Sequence, residues 1–216
     1  APDIVLPDLV VGVIWAMGVR CDPSPEALAR ELQAAVAEVA AAAAYPPADL
    51  KKFVRDVLRT RGYKPAGRGK PASEYLAGVA RKGEFPTINT LVDVNNLVSL
   101  ESGLPISVLD RGRFAATPHL RHGVEGERYV FNHADQEIDL RGLLVVCDGD
   151  VPRGTPVKDS MATKVDETTT EVLAVIYGTS KVVDTDAMAS LARRFARLLE
   201  VHAGATETAT DVLAGT

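Results

Sequence analysis

The chain has 216 residues, 46% of them hydrophobic, and a formal net charge of −5, which is enough material to bury a substantial core in one large domain or two small ones. The charge balance argues against a wholly basic nucleic-acid coat protein. The apolar run LVVGVIWAMGV, Leu9 to Val19, is about half the length a bilayer requires and reads as a buried strand, with no signal peptide in view.

In chain order, Val10 to Val19 is β-branched without helical periodicity, as in a central strand covered on both faces. Ser24 is placed to cap a helix with Pro25 at its first position. Leu28, Leu32, Val36 and Val39 then recur at helical spacing, so a helix is predicted over 25–44, stopped by Pro46 and Pro47. From Asp49 to Arg59, Leu50, Phe53, Val54, Val57 and Leu58 mark an amphipathic helix. The stretch TRGYKPAGRGKP is a turn-rich loop, and a short helix is predicted over 72–81. Another runs over 90–102, with Thr90 as its cap and Gly103 as its terminator. Beyond Asp110 the pattern changes to short strands at Arg128–Asn132, Gln136–Leu140 and Leu143–Asp148, then a stronger strand, EVLAVIYG. A last helix, capped near Asp184 or Thr185, would bury Met188, Leu191, Phe195, Leu198 and Leu199. Residues 204–216 read as a flexible tail on a single domain spanning 1–203.

Charge is unevenly spread. Lys51 to Lys82 holds ten Lys and Arg residues against Asp56 and Glu74, a local +8 on a remainder of −13. A basic block on an acidic body is a footprint for a polyanion, or else a solvated helix face beside a lysine-rich loop. Cys21 and Cys147 show no paired spacing and read as intracellular thiols in a cytoplasmic protein. His119, His122 and His133 fit no finger or catalytic zinc pattern, and Gly67-Arg68-Gly69 is too short for a phosphate loop, so neither a metal nor a cofactor is expected.

Two stretches carry a resemblance. Ile88-Asn89, Val92-Asp93-Val94-Asn95-Asn96, Gly103-Leu104-Pro105 and Asp110 match, in order and spacing, a motif of the B3/B4 domain of the phenylalanyl-tRNA synthetase β subunit. MATKVDETTTEVLAVIYG, Met161 to Gly178, resembles that domain's Thr-Lys segment, acidic turn and final strand. The resemblance covers nearly the whole chain and implies an α+β fold, one B3/B4-like domain with a mixed β-sheet and flanking helices. In the synthetase such a domain houses the editing site, where tRNA mischarged with tyrosine is hydrolysed. A free-standing relative would therefore bind tRNA and hydrolyse a misacylated ester in trans. No synthetase core fits this length. Two departures leave a non-catalytic module for RNA or an amino-acid-like ligand as the alternative. Ser107 stands where a histidine is common, and Met161 falls where a pocket glutamate is expected; methionine cannot replace a carboxylate.

The expected site follows from the resemblance. Lys158, Ser160 and Thr163 form the catalytic group, and Asn89, Ser107 and Met161 bind the substrate. Lys51, Lys52, Arg55, Arg59, Arg68 and Lys70 contact the tRNA backbone. An extended 157–161 segment would point Lys158 and Ser160 to one face and turn Asp159 away to serve the fold. Asn89, Asp93 and Asn96 are expected mainly to brace the helix start, the alternative being that this helix start lines the pocket, where backbone donors suit a carboxylate or phosphate.

Overall fold

The computed structural model describes residues 6, 8–83 and 85–215. Its frame is a four-stranded sheet ordered β2-β8-β1-β9, built from β1 (Leu9–Met17), β2 (Ile106–Asp110), β8 (Glu171–Thr179) and β9 (Glu207–Ala214). β1 pairs antiparallel with both β8 and β9, and cores cover both of its faces, Val10, Ile14 and Ala16 on one and Leu9 and Val11 on the other, which accounts for its apolar composition. Strand alternation divides β8 between two cores. Val172, Ala174 and Ile176 join the helical side, whereas Leu173, Val175 and Tyr177 join the opposite side.

The helical side carries α1 (Glu26–Ala41), α3 (Ala72–Ala80), α4 (Thr90–Ser102) and α5 (Thr185–Leu198). On the other side lies the sheet β3-β6-β7, formed by Pro118–His122, Leu144–Asp148 and Val151–Gly154, with the hairpin β4 (Arg128–Val130) and β5 (Glu137–Asp139) beside it. α2 (Ala48–Arg59) sits where the cores meet, giving Val54 to the helical core, Val57 to the opposite one and Leu58 to a third, formed with Tyr129, Ile138, Leu143 and Val145. The result is the single α+β domain expected. Every pairing between these strands is antiparallel, and the one parallel pairing among the described residues is the isolated Gly123–Arg141 bridge.

Several local expectations change. The segment read as a loose tail contains β9, which closes the outer edge of β1, tucks Val212 against the helical core and packs on α5; Thr216 lies outside the described residues. Its polar sequence suits an edge strand with one face in solvent. Ser24 does not cap α1. Its hydroxyl donates instead to Asp93 Oδ2 at 2.6 Å, and the N-cap position is taken by Pro25 without a side-chain bond. Asn89, not Thr90, caps α4, its Oδ1 accepting from the Val92 amide at 2.9 Å. Thr90 donates its hydroxyl to the Asp22 carbonyl. Gly103 ends the helix at φ 71°, a left-handed conformation that glycine adopts without strain.

Candidate functional site

The site is assembled at the buried β2 edge of the main sheet, where β2 runs beside the segment following β7. That segment, 155–159, is not extended. Thr155 Oγ1 accepts from the Lys158 amide at 3.1 Å and donates to the Lys158 carbonyl at 2.7 Å, folding the chain into a turn. Tyr129 also donates its hydroxyl to the Lys158 carbonyl, at 2.6 Å, fastening the turn to β4. The Ala72 amide donates to the Pro156 carbonyl at 2.9 Å and brings in the start of α3. The turn cancels strand alternation, so Lys158 and Asp159 both reach one cavity of ≈ 640 Å³.

The cavity walls come from distant parts of the chain. Arg68 and Lys70 enter from the glycine-rich loop, Tyr75 and Leu76 from α3, and Asn95 and Asn96 from α4. Ile106 of β2, Phe131 after β4, Val157 and Lys164 complete the enclosure. Four cations therefore surround a partly apolar space in which Asp159 is the one carboxylate among the described lining residues. Lys158 Nζ sits 3.6 Å from the centre of the Phe131 ring, a cation–π contact that fixes the ammonium at the wall. Burial lowers the Lys158 and Lys164 pKa values; the Arg68 charge adds to this at Lys158, whereas Asp159 opposes it at Lys164. Asn95 lines the cavity, and its Oδ1 is buried without a hydrogen-bond partner among the described residues.

Asp159 departs most from its expected role. Its Oδ1 accepts from Ser107 Oγ at 2.6 Å and from the Thr155 amide at 3.2 Å. Ser107 is fully buried, and its Oγ also lies 3.2 Å from the Thr155 carbonyl and 3.1 Å from the Tyr177 hydroxyl, where either hydroxyl can donate. Gly154 leaves room for the carboxylate, since a Cβ there would stand 2.9 Å from Asp159 Oδ1. Desolvation raises the Asp159 pKa to about 7 against the Ser107 hydrogen bond, which lowers it. The carboxylate lies deep in the fold yet keeps a face on the cavity.

The other expected residues divide. Ser160 is buried and accepts from the Ala162 amide, and Thr163 is buried and donates to the Arg153 carbonyl, so both are occupied in shaping the turn. Neither they nor Met161 belongs to the described cavity lining, and Asn89 is spent on its cap. Asp93 is buried and accepts from Ser24 and the Ile88 amide, bracing the helix start. Within the basic block, Arg55 is paired with Glu74, Arg59 with Asp56, and Lys51 lies 3.7 Å from Glu74. Lys52 rests over Phe53. Only Arg68 and Lys70 of the block reach the cavity. Lys164 lies outside the expected site, Asp159 faces the cavity instead of turning away, and Asn95 and Asn96 of the resemblance motif line the cavity. Two adjacent asparagines between Val94 and Leu97 are the available signal for that pair.

The B3/4 domain model matches residues 65–214 of this chain. The chain belongs to the B3/4 domain family. The match begins after α2, yet β1 lies between β8 and β9, so the B3/4 fold here also takes in residues before the match. Among relatives, it is 28% identical over 106 residues to the phenylalanine–tRNA ligase β subunit of Cutibacterium acnes, covering 49% of this chain and 13% of that protein. It is 30% identical over 81 residues to the corresponding subunit of Neisseria meningitidis, covering 38% of this chain and 10% of that protein. The B3/4 chain thus spans only a small part of the length of these relatives. None of its described helices is long and apolar enough to cross a membrane.

Proposed function

We propose that this B3/4 protein binds the aminoacylated end of a tRNA in the cavity beside β2 and hydrolyses a misacylated ester there in trans, in a cytoplasmic setting. The observation that carries the reading is the composition of the cavity wall. Arg68, Lys70, Lys158 and Lys164 offer charge to phosphate oxygens, while Tyr75 and Phe131 offer ring faces to a base or an amino-acid side chain. Asn95 adds an unpartnered acceptor for an amino or hydroxyl group. Relatives that are tRNA ligase subunits favour the same class of ligand.

A second reading, a non-catalytic module for the same ligand, draws on Ser160 and Thr163 being engaged in their own turn. Binding is tested with charged and uncharged tRNA at low and high salt. Charged tRNA should bind more tightly, with affinity falling steeply as salt rises. Equal retention of both forms, unaffected by puromycin as a competing aminoacyl-nucleoside, would reject the cavity as the binding site.

A further inference from the structure

Resting on that reading, we infer that Asp159 is the general base of the cavity, activating a water for attack on the ester carbonyl. The case is geometric. Asp159 is the one carboxylate among the described lining residues, on a wall that also carries cations, amides and apolar side chains. Ser107 and the Thr155 amide hold Oδ1, and Asp159 itself lines the cavity, where the carboxylate can take a water. Gly154 makes the space, and the Tyr177 hydroxyl lies 3.1 Å behind Ser107 Oγ. This is a supported carboxylate at the place where the resemblance left no acid or base, because Ser107 and Met161 replace the expected histidine and glutamate.

The step balances without a cofactor. Water loses a proton to Asp159 as its oxygen bonds to the ester carbon, and the carbonyl π pair moves onto oxygen beside Lys158 or Lys164. When the carbonyl re-forms, the bond to the ribose oxygen breaks and that oxygen takes the proton from Asp159, giving a free amino acid and a tRNA hydroxyl. The groups facing Asp159 are Ser107, Tyr177, Tyr129, Lys164 and, across the cavity, Lys158 and Arg68. A pKa of about 7 leaves the base partly ionised near neutrality.

The test follows deacylation of a panel of tRNAs, each charged with a non-cognate amino acid, and puromycin affinity measured in parallel. Wild type should hydrolyse at least one, with a rate that rises with pH and levels off near 7. Asp159→Asn, which can still accept from Ser107, should lose on the order of 100-fold in rate and lose the inflection, with puromycin affinity nearly unchanged. Ser107→Ala should retain the inflection but move it to higher pH, because the bond it deletes favours the ionised carboxylate. An Asp159→Asn protein as fast as wild type overturns the inference, as does a fall in rate matched by an equal fall in puromycin affinity. If Asp159→Asn does not fold, an unshifted profile in Ser107→Ala overturns it. A wild type that binds puromycin but hydrolyses no charged tRNA rejects the base and leaves the binding reading standing. A wild type that binds neither puromycin nor charged tRNA rejects both.

Discussion

Arg55 holds Glu74 through two nitrogens, Nε and Nη2, each 2.6 Å from a carboxylate oxygen, and the Glu74 side chain is 7% exposed. The pair joins α2 to α3 across the glycine-rich loop, so a residue that reads as part of a polyanion footprint is a brace. Arg55→Met strands a buried carboxylate with only Lys51 nearby. It should cost about 3 kcal/mol, the low end for a broken buried pair, seen as a lower urea midpoint at unchanged slope. A midpoint equal to wild type would show that the pair does not brace the fold.

Arg68 and Lys70 are the members of the basic block that face the cavity. Replacing both with Glu should weaken tRNA binding at low salt and flatten its salt dependence, while the melting temperature hardly moves. Unchanged affinity in a folded double variant would place the RNA contact elsewhere.

Lys158→Met keeps much of the side-chain length while removing the charge above Phe131. Puromycin or charged-tRNA binding should fall at least tenfold, about 1.4 kcal/mol, with little loss of stability. Full affinity would take Lys158 out of the binding role without affecting the cavity.

Asn89→Ala removes the α4 cap and should cost on the order of 1 kcal/mol. Ligand affinity should persist in the folded fraction, because the side chain is turned to the Val92 amide. A variant with normal melting and abolished binding would reverse that assignment.

The Asp159 carboxyl also makes stability depend on pH. Its folded pKa, about 7, lies above the ordinary 3.8, so the folded state holds the proton more tightly than the unfolded chain. Stability should therefore fall as pH rises from about 4 to about 7 and lose no more from this group above that. Asp159→Asn removes the penalty, and its melting temperature should exceed that of wild type by a margin that widens across the same interval. A margin independent of pH would contradict the buried titration.

Periodicity and punctuation located α1 through α5 within a few residues, since helix faces and caps are written in local spacing. Leu28, Leu32, Val36 and Val39 needed no partner to be read as one face, and Gly103 needed none to end α4. The order of side chains in the B3/4 motif likewise carried the family. Residues 207–214 read as a tail because their polar pattern becomes a strand only when the edge of β1 is available to pair with. The partners of Ser24, Arg55 and Asp159 are 69, 19 and 52 residues away along the chain, and no local rule names them. Above all, whether Asp159 faced the cavity or the core depended on one side chain. By closing a turn on Lys158, the Thr155 hydroxyl replaced the two-residue alternation of a strand, and only the folded chain set that contact.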